Sequence, residues 1–170
     1  MLFLKRVESE KKCDIEIDYY VPITITVGAG SYYGEKIYWR TGNFKNSLIE
    51  ISIEKEKGTL KDITLVAVNE VYLIDFPENE CEKKQIGVPL FMLDGNTRNG
   101  FCDQIIDFFV YLSSKDITIK FQKEIRPVKC VQLGRVRFSF DKEEKLICIT
   151  VFDLSDYEYC ELKAGMKIEI

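Results

Sequence analysis

The sequence predicts an all-β or mostly β protein: an antiparallel sandwich or strongly twisted sheets built from two long hairpins, with at most one short helix. Three observations predict it. From Leu48 to Val68, Ile49, Ile51 and Ile53 alternate with Glu50, Ser52 and Glu54, the period of two of a half-buried strand. A polar connection, Lys55 to Thr59, places Gly58 where a short hairpin loop commonly needs a positive φ. The return arm sets Ile63, Leu65 and Ala67 on one face and Thr64, Val66 and Val68 on the other, so it is expected in the middle of a sheet. Second, residues 136–152, VRFSFDKEEKLICITVF, repeat that layout, with Phe138 and Phe140 standing where Ile51 and Ile53 stood. Two β-hairpins of any origin look alike in this way, and an old internal duplication is the alternative. Third, shorter alternating runs occur at 14–26 and, after the polar SSKD, at 117–121.

Taken in order, DIEIDYYVPITIT reads as one or two strands interrupted at Pro22, which cannot donate to a central ladder. Residues 27–43, VGAGSYYGEKIYWRTGN, read as a loop in which Gly28, Gly30, Gly34 and Gly42 punctuate Tyr32, Tyr33, Tyr38 and Trp39. Glu70 to Ile74 either continues the return arm or starts a new strand. Turn signals at Pro77, Gly87, Pro89, Gly95 and Gly100 surround one apolar run, VPLFML, and the stretch 77–100 is expected to join two halves of a single domain, residues 1–170. For 103–112, the spacing Ile105, Phe108, Phe109, Leu112 fits a helix, but SSKD followed by ITIKF favours a hairpin whose first arm is FFVYL. After the second long hairpin come DYEYC and ELKAGMKIEI, whose Gly165 precedes an expected final strand.

A chain of 170 residues buries enough surface for a core without staples. Its first residues hold four apolar side chains before Lys5 and Arg6, too few for a signal or anchor segment, so a cytoplasmic location is expected and no membrane partner. The six cysteines show no C-x-x-C spacing, and there is no histidine. No metal site and no cofactor are therefore expected, Cys148 reads as a buried thiol in LICITVF, and disulfides are not expected. Missing histidine also removes Ser-His-Asp and Cys-His catalysis, leaving paired carboxylates without a recognisable pairing. The expectation is a protein that is not an enzyme.

Charge is distributed unevenly around a net −4, which gives no reason to expect nucleic acid as a partner. Between Lys61 and Lys83 no basic residue occurs, while Asp62, Glu70, Asp75, Glu78, Glu80 and Glu82 accumulate. The segment Lys120 to Arg137 is basic and reads as an exposed strand face. Near the C-terminus, Asp153, Asp156, Tyr157, Glu158, Tyr159 and Glu161 interleave acids with aromatics, a composition that would attract a basic protein groove. These six are the candidate partner-binding residues. A secondary surface is Tyr32, Tyr33, Tyr38, Trp39 and Arg40, which as a stacking platform would serve a carbohydrate-binding or carbohydrate-cleaving sandwich. The run from Gly28 to Gly34 lacks the glycine a dinucleotide fingerprint requires at Tyr33.

SLIEISIEKEKGTLKDITLV, together with YYVPITITVGAGSYYG upstream, is similar to the core of uncharacterised β-rich bacterial proteins of Firmicutes type. The likeness covers Tyr19 to Tyr72 and carries no catalytic residue. Some such proteins are immunity partners of polymorphic toxins. What the resemblance implies is a non-enzymatic module that occludes the active site of a cognate, basic toxin domain, with no residue role carried over.

Overall fold

In the computed structural model, residues 1–30, 32–74, 81–123 and 125–168 are described. Ser31 of the glycine-rich run, the turn signal at Pro77, the acids Asp75, Glu78 and Glu80, Glu124, and the end of the expected final strand lie outside them. The protein is mostly β, with one helix among the described residues.

Fifteen strands and one helix follow in chain order: β1 (Leu2–Glu8), β2 (Cys13–Glu16), β3 (Ile23–Val27), β4 (Lys36–Gly42), β5 (Leu48–Glu54), β6 (Leu60–Ala67), β7 (Val71–Tyr72), β8 (Lys83–Ile86), β9 (Val88–Leu93), β10 (Phe101–Ile105), β11 (Phe109–Leu112), β12 (Asp116–Lys120), β13 (Lys129–Leu133), β14 (Val136–Phe140), β15 (Leu146–Phe152) and α1 (Asp156–Gly165). A six-stranded sheet runs β10-β4-β5-β6-β3-β2, and a seven-stranded sheet runs β7-β11-β12-β15-β14-β13-β8. Each is built outward from one of the two long hairpins, β5–β6 and β14–β15, which therefore sit in different sheets. Most neighbours are antiparallel; the parallel pairs are β10 with β4, β7 with β11 and β8 with β13.

One apolar core joins the sheets. Trp39, Ile51 and Ile63 from the first and Phe138, Ile149 and Val151 from the second belong to the same buried cluster. Trp39 meets Phe121 edge-on, ring centroids 5.5 Å apart. The ribbon β1–β9 closes one end by inserting Phe91 beside Phe138 and Phe140, at 6.4 and 6.2 Å. So the run VPLFML, in the stretch expected to be a connection, is a buried strand. At the tip of the first hairpin Gly58, with φ +82°, lets Phe91 donate its backbone N–H to the Gly58 carbonyl at 2.7 Å.

Other local expectations fare as the physics of each stretch dictates. β6 lies between β5 and β3, as an arm apolar on both faces should. Pro22 separates edge strand β2 from β3. β11 and β12 form the expected hairpin rather than a helix, because Val110 and Leu112 point into the core at a spacing of two.

Four expectations are corrected. The glycine- and aromatic-rich segment is not all loop, since 36–42 is strand β4. No strand follows Gly165 among the described residues 166–168, and residues 156–165 are helix α1, started by Ser155 as N-cap, whose side chain accepts from the Glu158 N–H while the Glu158 carboxylate accepts from Ser155. Leu162, fully buried, with Tyr159 and Met166 docks the helix on the core. Cys81 and Cys130 are paired as a disulfide, Cα atoms 5.9 Å apart, tying the start of edge strand β8 to β13. Lys120, expected on an exposed face, is 7% exposed. Cys148 is buried as expected.

Candidate functional site

The six-stranded sheet has one face in the core and one outside, and the registers place the outer side chains in rows. One row reads Phe101, Tyr38, Ser52, Asp62, Thr26, Asp14; the next reads Asp103, Arg40, Glu50, Thr64, Thr24, Glu16. Alternation explains this face, because the intervening Cys102, Trp39, Ile51, Ile63 and Ile25 are all buried.

Carboxylates dominate the outer face, and most are paired. Lys12 pairs with Asp14 at 2.8 Å, Lys36 with Asp62 at 2.7 Å, Arg40 with Asp103 at 2.7 Å and Lys61 with Glu54 at 3.6 Å. Asp62 also accepts from the Ser52 hydroxyl at 2.8 Å. Glu16 and Glu50 make no ion pair with a described residue. Burial pushes the Glu50 carboxyl above its ordinary range; Arg40 opposes this, and Asp62 and Asp103 add to it.

At the β10 end of the face, Arg40 is locked in place. Its Nε and Nη2 donate to the two Asp103 carboxylate oxygens at 2.7 and 2.8 Å, a bidentate pair that raises the guanidinium pKa. The guanidinium carbon sits 4.2 Å from the Phe101 ring centroid, and Tyr38 stacks on the same ring at 5.4 Å and 28°. A rigid aromatic and charged corner results, with Ile105 projecting beyond it, 83% exposed. No family model and no curated protein matches the chain.

The secondary surface expected from sequence is thus only partly formed. Tyr38 and Arg40 share the corner, but Trp39 points the other way, fully buried, and its Nε1 donates to Gln104 Oε1 at 2.7 Å. That is the correction alternation demands: a residue between two outward ones on a strand faces inward. Tyr33 is exposed, and Tyr32 carries the Lys61 ammonium 3.9 Å from its ring centroid above an open groove of about 430 Å³ lined in part by Lys36, Asp62 and Gly28.

The C-terminal candidates come together on α1 and the turn before it, but two of them work inward. Glu158 Oε1 accepts from Arg135 Nη2 at 2.6 Å, and Oε2 accepts from Arg135 Nη1 at 3.1 Å and from the Ser155 amide at 2.8 Å. The Arg135 guanidinium, aided by Ser155, holds the Glu158 carboxyl down at about 2. Tyr159 packs against the core, with the Lys163 ammonium 5.6 Å from its ring centroid. Asp153, whose carbonyl accepts from Arg135 at 2.9 Å, Asp156 and Tyr157 remain outward, and Glu161 is half-buried. Within the acidic cluster, Glu158 is therefore part of the helix start and its clamp.

Phe101, Asp103 and Ile105 are functional candidates that sequence reasoning missed. Their signal was the alternation Phe101, Asp103, Ile105 around Cys102 and Gln104, masked by the helical spacing that Ile105 shares with Phe108, Phe109 and Leu112. Among the thiols, burial pushes Cys148 up and Cys13 up to about 11, so neither is a ready nucleophile at neutral pH. The described residues hold no group of three His, Cys, Asp or Glu placed to ligate a metal ion.

Proposed function

We propose that this chain is a non-enzymatic protein-binding module for a basic partner, and in its most concrete form an immunity protein that neutralises a bacterial toxin by covering its active site. The observation that carries the binding reading is the outer face of the six-stranded sheet, where rigidly held Arg40, Tyr38 and Phe101 lie beside Glu50, with Glu16 in the same row at the far edge on β2; neither carboxylate makes an ion pair with a described residue. A face ordered before binding loses little side-chain entropy on docking, and uncompensated carboxylates favour a cationic surface while repelling nucleic acid. The immunity role is added by the resemblance of Tyr19 to Tyr72 and is a proposal on that ground.

The test is an affinity pull-down of the tagged chain from its source lysate at low and moderate salt, followed by titration of the recovered protein against Glu50→Lys and Glu16→Lys variants. One stoichiometric basic protein, weakened by salt and bound at least about tenfold less tightly by Glu50→Lys, is the expected result. Recovery of no partner, or a partner indifferent to both substitutions, overturns the reading. For the immunity role, co-expression with a toxin encoded beside the chain protects the cell; failure to protect removes that role and leaves the binding module.

A further inference from the structure

Strand edges expose unpaired backbone groups, and proteins guard them with charge, proline, bulges or shortness. Three of the four outer edges of the two large sheets are guarded. β2 carries Asp14 and Glu16 beside Lys12, β8 opens with Lys83 and Lys84 and is tied down at Cys81–Cys130, and β7 is two residues long. β10 is the exception, a five-residue edge with Phe101 36% and Ile105 83% exposed.

Its backbone is directed accordingly. In the parallel ladder Tyr38 donates its N–H to the Gly100 carbonyl at 2.8 Å, so Cys102 and Gln104 turn their amides and carbonyls toward β4. Those of Asp103 and Ile105 point outward, and no described residue bonds to them. Phe101 closes a small turn with Arg98, at 3.0 and 2.8 Å, which marks one end of the open edge.

We propose that β10 is a docking edge: an extended segment of the basic partner adds to the six-stranded sheet as a further strand, with apolar side chains beside Phe101 and Ile105 and a Lys or Arg beside Asp103. This rests on the protein-binding reading above and names how the partner is held. Main-chain hydrogen bonds to Asp103 and Ile105 supply affinity, and alternate side chains supply selectivity. Asp103 is half exposed, and Arg40 takes one direction on each of its oxygens, leaving acceptor capacity for a second cation. Glu50, one strand beyond Arg40 in the same row, adds negative potential. An acidic strand would meet that potential as repulsion. A second copy of β10 would set Asp103 opposite its own symmetry mate.

The probe is the heptapeptide acetyl-TITRTVT-amide, whose outward side chains are Ile, Arg and Val, titrated into the 15N-labelled chain. Saturable shifts confined to Phe101–Ile105 and β4 are expected, with acetyl-TITETVT-amide at least about fivefold weaker. Ile105→Pro removes only an outward donor, so the sheet's own ladder stays intact, and binding falls about tenfold or more. If Ile105→Pro fails to fold, Ile105→Lys places a guard on the same edge and binding falls likewise. No saturable binding, equal affinity for the two peptides, or unchanged affinity in the variant overturns the proposal. So does concentration-dependent dimerisation abolished by Ile105→Pro, since the occupant is then a second copy. A captured basic protein that binds Ile105→Pro normally but is weakened by Glu50→Lys overturns strand addition alone and leaves the protein-binding reading standing.

Discussion

Replacing Glu158 by Gln separates what its charge does from what its shape does. Gln at this position still serves a capping box, so helix α1 keeps its start, while the bidentate pair with Arg135 loses its ionic half. The carboxyl stands at about 2 in the folded chain against an ordinary 4.5, chiefly because Arg135 donates to it. Fully converted, that gap is roughly 3 kcal/mol. Arg135 is 34% exposed, however, and solvent screening reduces the expected contribution to about 1–2 kcal/mol. A depressed folded pKa adds stability that is complete above the unfolded value and is lost as pH falls through the folded one. The wild-type advantage over Glu158→Gln should therefore be full at pH 6, shrink below about pH 4.5 and vanish near pH 2. Urea unfolding followed by the fluorescence of Trp39, the sole tryptophan, measures it at each pH. At pH 6 the melting temperature should drop by roughly 2–8 °C. An advantage of equal size at pH 2 and pH 6, or none at pH 6, refutes the reasoning.

Gly58→Ala costs roughly 2–5 kcal/mol, since φ +82° is strained for alanine and the new Cβ collides with the Phe91 carbonyl oxygen. Gly30→Ala, at φ +75° with open space around it, should cost only the backbone part, about 1–2 kcal/mol; equal losses in the two variants show that the collision is relieved. Thiol titration of the denatured, unreduced chain should count four free cysteines, Cys13, Cys102, Cys148 and Cys160, rising to six on reduction. Six before reduction contradicts the Cys81–Cys130 pairing.

Both long hairpins were legible because their inward and outward residues differ in polarity, and the period of two survives inspection. β4 was not, for a physical reason: Tyr38 and Trp39 are neighbours that face opposite ways, and aromatic side chains on both faces erase the contrast alternation depends on. Helix α1 did announce itself through Ser155-x-x-Glu158, but only Leu162 is fully buried, so the apolar period that normally identifies a helix is weak. Of the acids read as a partner surface, Glu158 serves as cap and clamp, while Asp153 and Asp156 stay exposed. Pairings across long sequence separations, β10 with β4 and Cys81 with Cys130, follow from the assembled sheets and have no local signature. The aromatic and charged corner proposed to bind depends on the first of these, which brings Phe101 and Asp103 to Tyr38 and Arg40.

Amide hydrogen exchange resolved along β10 tests the binding edge most directly. In the free chain Cys102 and Gln104, bonded to β4, should be protected, while Asp103 and Ile105 exchange at nearly unhindered rates. Adding the basic partner should slow Asp103 and Ile105 and leave Cys102 and Gln104 as they were. Protection of all four amides in the free chain, or no slowing at Asp103 and Ile105 when the partner is bound, contradicts the open edge and the role given to it.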